Sequence, residues 1–387
     1  MRILMLVATS VATDTRVLRE ARTLVGAGHS VHVIGRSVPE GFDAGEGITV
    51  SSVGTSSVFR AEGQPSLKGR KLSAPVRFAR WALLPQHRRS SFGRWADGAI
   101  ADARGREFDV VHAHDFTALR AADTLAAERG VPFVYDSHEF WPGLPREYRP
   151  TPLADRRERR EEAEWGGRAA AVITVGDGVA DALRELYGWD NVTVVHNSFP
   201  RAAELPEPLE EPKALVYAGR VAAFRELEVI ATASRYVDIP ITVMGPADET
   251  WLGTFDRGDV EVLPAKPLPE ASETLVAGGI SLVTHSDKWL NHRLAMPNKL
   301  FHAVSLGIPL VATDVGELGR MVREHGLGTL YEPGNPDSLV RAISEAVGGY
   351  RKLVSNVRAA RPALSWDADA DRLLTVYDEI IRVTGKE

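Results

Sequence analysis

At 387 residues, with 44% hydrophobic and 25% charged side chains, the chain is too long for one core and too apolar for disorder, so two globular domains are expected. A net charge of −6 excludes a molecule built overall to coat nucleic acid, and the lack of cysteine excludes disulfides, thiolate metal sites and a cysteine nucleophile. The opening run Met1 to Thr9 turns polar too soon for a signal peptide or a spanning helix, which makes the cytoplasm the expected compartment.

Short runs rich in Val and Ile alternate with longer helical patterns, as in parallel sheets with helices on both faces. Strands are predicted at Ile3 to Ala8, Ser30 to Gly35, Asp109 to His114, Phe133 to Asp136, Ala171 to Val175 and Val192 to Val195. The first helix follows Thr13 and Asp14, a plausible cap, and carries Arg16 in its first turn. A turn between strand and helix is a ready anion site, but Thr9 to Ala12 contains no glycine, so a nicotinamide dinucleotide is disfavoured there. Phe59 to Trp95 interleaves nine basic residues with aromatic ones. That segment reads equally as an acceptor-binding helix pair, a patch for anionic lipid, or a solvated insertion with an apolar underside.

His112 and His114 close one strand before Asp115, and Asp136 to Glu139 closes the next, placing His138 and Glu139 at strand ends where ligands bind in open α/β sheets. No third ligand stands at a spacing that makes a metal site of these histidines. Asn197 to Pro212, with four prolines, is the expected linker.

The second half repeats the strand pattern at Ala214 to Ala218, Ile241 to Gly245, Val260 to Leu263, Ile280 to Thr284, Leu310 to Thr313 and Gly328 to Tyr331. Gly219 and Arg220 follow its first strand and Arg225 stands where the next helix should begin, a pair of cations suited to a diphosphate. Pro297 suits a first helical turn, from which Asn298, Lys299 and His302 would face an anionic or ribose-bearing ligand. Asp367, Asp369 and Asp371 read as a solvated helix start, and Leu373, Leu374, Tyr377, Ile380 and Ile381 as one apolar face of a terminal helix.

With these pieces in order, the chain resembles the retaining glycosyltransferases of family 4, also called group 1. The resemblance is carried by Asp14 to Ala21 with Gly28 to Val31, Asp109 to Asp115, Tyr135 to Glu139, Val216 to Arg220, and Pro297 to His302 with Gly307 to Thr313. It implies a GT-B fold: two doubly wound Rossmann-like domains, residues 1–198 and 199–365, with parallel sheets facing a central cleft and a C-terminal helix, 366–387, crossing back to the first. The first domain would take the acceptor, with Thr13, Asp14, Arg16, His114, Asp115 and Glu139 as candidates. The second would take a nucleotide-sugar donor, UDP-linked or GDP-linked, through Gly219, Pro297, Asn298, Lys299, Leu300 and His302. Catalysis would rest on Arg220 and Arg225, which neutralise the diphosphate without a metal or other cofactor, and on His138 near the donor sugar. Two departures stand out: Glu226 replaces a usual glycine, and the family's paired glutamates fall at Leu294 and His302. The expected activity is transfer of a sugar to a glycan or small-molecule acceptor. An epimerase-type enzyme and a non-catalytic binding subunit of the same fold are the alternatives.

Overall fold

The computed structural model describes residues 1–54, 91–144, 152–202, 204–223 and 225–385. Its contacts divide the chain into one unit of Met1–Thr174, Leu183–Thr193 and Arg372–Glu387, and another of Val175–Ala182 and Val194–Asp371. The expected divisions stood at 198/199 and 365/366; the contacts change units at 193/194 and 371/372 and count Val175–Ala182 with the second. Val194 to Ser198 count with the second unit because His196 and Ser198 hydrogen-bond Asp369, while the end of the last helix counts with the first, where Tyr377 bonds His112.

The first unit carries a parallel sheet in the order β3-β2-β1-β4-β5-β6-β7, formed by β1 (Arg2–Val7), β2 (Ser30–Gly35), β3 (Ile48–Ser52), β4 (Val110–His114), β5 (Phe133–Ser137), β6 (Ala171–Thr174) and β7 (Val192–Val194). The second carries β10-β9-β8-β11-β12-β13, from β8 (Ala214–Ala218), β9 (Ile241–Met244), β10 (Glu261–Leu263), β11 (Gly279–Val283), β12 (Leu310–Thr313) and β13 (Gly328–Tyr331). In both orders the chain reverses direction across the sheet beside the first strand, between β1 and β4 and between β8 and β11. That reversal opens a crevice at the strands' C-terminal ends, where α/β sheets bind ligands. Each unit is thus Rossmann-like.

Central strands are covered on both faces: β4, β5 and β11 are buried throughout, which is why they read as unbroken apolar runs. β3 was not anticipated. It is an edge strand with only Ile48 fully buried, and its sequence Ile-Thr-Val-Ser-Ser carries no such run. Most of the basic segment Phe59 to Trp95 lies outside the described residues. Its last residues open a helix, 91–104, in which Trp95 is buried in the core rather than offered to a ligand or lipid. Among the described residues no helix is long and apolar enough to cross a membrane.

Candidate active-site residues in the two units

In the first unit, helix α1 (Thr15–Gly26) begins under the Asp14 cap, whose carboxylate accepts from the Val17 backbone at 3.2 Å and from the Thr9 hydroxyl at 3.1 Å. Thr13 turns its hydroxyl back to the Ser10 carbonyl at 3.2 Å. Arg16, in the first turn of the helix, points inward and is 2% exposed. Its guanidinium donates to both oxygens of Asp136 at 2.9 and 2.8 Å and lies 3.0 Å from Glu20. Asp136 also meets His114 Nδ1 at 3.2 Å and His138 Nε2 at 2.9 Å. His112 stacks on His114 with ring centroids 4.4 Å apart and bonds the Tyr377 hydroxyl at 2.8 Å.

These contacts fix the charge states. Burial alone would raise the Asp136 carboxyl, but Arg16, His138 and the histidine hydrogen bonds hold it well below the usual carboxylate range. Burial dominates at Glu20 and raises it to about 8, against the pull of Arg16, so near neutral pH Glu20 is largely a neutral acid. Burial likewise lowers His112 and His114. At His138 burial is outweighed by Asp115 and Asp136, which push the imidazole up to about 10.

Glu20, His112, His114 and Asp136 present ligand atoms within 4.8 Å of one another, the spacing of a metal cluster, yet Arg16 already supplies the cation there. Two sequence-based expectations are corrected here. Arg16 and His114 are sealed within this network and cannot bind an acceptor. His138, with 16% of its side chain exposed, keeps Nε2 on Asp136 and Nδ1 3.5 Å from Asp115. It is therefore a fixed imidazolium without a lone pair for use as a base. Asp115 also accepts from the His138 backbone at 3.1 Å and opens α3 (Asp115–Arg129) in a left-handed conformation, φ 63°. Glu139 is exposed at the same strand end.

In the second unit β8 runs into Gly219. A Cβ there would lie 2.4 Å from Lys299 Cε, so the lysine chain passes directly over this glycine. Lys299, in the first turn of α10 (Asn298–Leu306), lies with Nζ 5.3 Å from the Tyr217 ring centroid. The Tyr217 hydroxyl donates to the Arg220 carbonyl at 3.1 Å, and Thr284, just past β11, donates to the Arg225 carbonyl at 3.0 Å. Glu226 adopts the left-handed φ of 61° that a glycine would favour, and its carboxylate accepts from the Gly334 backbone at 2.7 Å. Burial, then the charge of Arg225, lowers Lys299 to about 8. Among the described residues, no carboxylate lies within ion-pair distance of Arg220, Arg225 or Lys299. This is a cluster of cations with no internal counter-charge.

Gly219, Asn298, Lys299 and His302 line a cavity of about 340 Å³ together with Phe199 and Met244. Arg220 and Arg225 are not among its walls; Arg220 is exposed and Arg225 reaches Lys299 through its field. Pro297 and Leu300 are corrected: both are buried, and Leu300 packs into the apolar core, so their side chains hold the helix rather than the ligand. Phe199 was read only as linker, because nothing in its neighbourhood in sequence announces that its ring stacks on His302 at 4.7 Å and 18°. Asp369 is corrected as well. It is fully buried, not solvated, and accepts from Ser198 and His196.

Two Rossmann-like units, the second with Lys299 and His302 on the wall of a cavity at its strand ends, define a class of doubly wound α/β proteins. The profile described as Glycosyltransferase Family 4 matches residues 13–201, and that described as Glycosyl transferases group 1 matches residues 212–348. The chain belongs to the GT-B glycosyltransferases of this family 4, group 1 type. Among curated proteins it is 26% identical to D-inositol 3-phosphate glycosyltransferase 1 of Catenulispora acidiphila, over 71% of this chain and 73% of that protein. It is 24% identical to glycogen synthase of Mycobacterium tuberculosis, over 70% of this chain and 68% of the relative. Among solved structures, sucrose-phosphate synthase from Thermosynechococcus elongatus shares the fold at a TM-score of 0.74 and 15% identity, covering 99% of this chain and all of that one. HepE of Anabaena in complex with UDP-glucose shares it at 0.64 and 15%, covering both chains in full.

Proposed function

We propose that this glycosyltransferase takes a hexosyl group from a nucleoside-diphosphate sugar and passes it to a hydroxyl acceptor with retention of anomeric configuration. The observation that carries the donor half is the cation cluster. Burial, then the charge of Arg225, depresses Lys299, and among the described residues neither cation has a carboxylate to offset it. A diphosphate supplies that offset, and as the sugar leaves, the same cations stabilise the negative charge that grows on it. Arg220, exposed just past the end of β8, is offered as a third. Because these side chains do what a divalent ion does elsewhere, turnover is expected to persist in a chelator. A UDP-linked donor is favoured by the likeness to HepE, which binds UDP-glucose.

The role of His138 toward the donor sugar rests on the family resemblance. Its fixed protonation suits a hydrogen-bond donor or a charge stabiliser. Among the described residues no carboxylate lines the donor cavity, in keeping with a departing diphosphate that itself takes the acceptor proton on the face it leaves. The test is to incubate the full chain with UDP-glucose, UDP-galactose and GDP-mannose and a panel of sugar and polyol acceptors in EDTA. Release of nucleoside diphosphate and the anomeric proton coupling of any product are followed by NMR. An α-linked product from an α-linked donor, lost in Arg225→Ala, supports the reading. A β-linked product overturns retention, and dependence on added metal overturns the role given to the cations.

A further inference from the structure

His302 lines the donor cavity from α10, and its imidazole is held on two sides. One face lies on Phe199, and Nε2 sits 2.9 Å from the hydroxyl oxygen of Ser272 on α8 (Leu268–Gly278). The direction of that hydrogen bond follows from the serine's own commitments. Ser272 Oγ is also 2.8 Å from the Leu268 carbonyl, which only accepts. A hydroxyl has one hydrogen. Given to Leu268, it leaves Ser272 able only to accept from the ring, so the ring hydrogen is on Nε2 and the lone pair is on Nδ1.

We propose that Ser272 is a positioning residue that locks His302 in the Nε2–H form, so that Nδ1 receives a hydroxyl hydrogen from the ribose of the bound nucleotide sugar. This rests on the proposed donor site. Among the described residues Nδ1 has no protein partner. Burial lowers the imidazole to about 4, so at neutral pH it is the uncharged ring, with one donor and one acceptor, that faces the ligand. A neutral acceptor also adds no negative charge to a cavity that must take a diphosphate. The surrounding groups agree: Lys266 on the same wall is turned to the Thr274 hydroxyl at 3.0 Å, and among the described residues no acid lines the cavity.

The test uses the full chain labelled with nitrogen-15 at histidine, with His302→Gln to assign the resonance. In the wild type, His302 is expected to show a protonated Nε2 and a bare Nδ1. Ser272→Ala is expected to show a mixture of both forms, and Ser272→Thr, which keeps the hydroxyl, to restore the single form. The same proteins are then titrated with UDP, 2′-deoxy-UDP and 3′-deoxy-UDP. Loss of the bonded hydroxyl should weaken wild-type binding about tenfold, and Ser272→Ala should discriminate less than the wild type. A protonated Nδ1 in the wild type, or an unchanged ring in Ser272→Ala, overturns the positioning role. Equal binding of UDP and both deoxy analogues overturns the hydroxyl contact. An Nε2–H ring in a chain that binds none of UDP, GDP or dTDP overturns the donor site itself and leaves the serine lock standing.

Discussion

The first unit gathers Arg16, Glu20, His112, His114, Asp136 and His138 and closes their charges on one another. The second brings Arg225 and Lys299 together and closes nothing. Burial is deep in the first cluster, where Arg16 is 2% exposed and Glu20, His114 and Asp136 not at all. Buried charge is tolerated only when paired and hydrogen-bonded, so the first network's contacts are spent within the protein. In the second cluster burial, and after it the charge of Arg225, lowers the lysine to about 8, with no compensating carboxylate among the described residues. An array of like charges is what a protein leaves open for a ligand of opposite sign. Charged residues dense in sequence therefore mean different things in the two units: a scaffold that aims His138 in one, a receptor in the other.

The sharpest way to break this contrast is to remove Asp136. Asp136→Asn takes away the carboxylate that Arg16 and His138 share and leaves Arg16 only Glu20, so about 3–5 kcal/mol of stability should go, read from the urea unfolding midpoint. Next comes the double variant Arg225→Ala/Lys299→Ala. Nucleoside-diphosphate affinity should fall about 100-fold while the unfolding midpoint stays or rises, because no internal ion pair is lost. A fall in stability comparable to that of Asp136→Asn would erase the distinction between the two clusters.

A third effect is smaller and depends on pH. The Lys299 ammonium, lowered to about 8, is charged below that value and neutral above it, so diphosphate affinity should fall about tenfold between about pH 7 and 9 in calorimetric titrations. Lys299→Met should bind weakly with no such step. The smallest effect sharpens the account of the first unit. Glu20 rises from 4.5 to about 8 on folding and His138 from 6.5 to about 10. Each therefore contributes stability that is complete below its unfolded value and is lost as pH climbs through its folded one. The thermal midpoint should drop from pH 6 to pH 9, and Glu20→Gln should flatten the part of that slope below about pH 8.

Both sheets were legible where their strands run through the middle, since Val110–His114 or Leu310–Thr313 can be buried on two faces only if nearly every residue fits there. Ile48–Ser52 escaped because an edge strand need bury only one residue in this case, and its Thr and Ser look like loop. At the sites, residue types were readable but partners were not. Arg16 and Asp136 stand 120 positions apart, and nothing local to either announces a salt bridge. The carboxylate of Asp369 looked like part of a solvated acidic stretch until the fold set it against Ser198 and His196. Lys299 and Gly219 could be chosen from their positions at a helix start and a strand end. The close approach of the lysine chain to the glycine belongs to three-dimensional packing.

The central claim, that the unpaired cations of the second unit receive a nucleoside diphosphate, is tested most directly by calorimetric titration of the full chain with UDP, GDP and dTDP in EDTA, beside the Arg225→Ala/Lys299→Ala variant. The account predicts that at least one diphosphate binds the wild type and that its affinity falls about 100-fold in a variant that unfolds at the same midpoint. A wild type that binds none of the three, or a variant that binds as the wild type does, would contradict it.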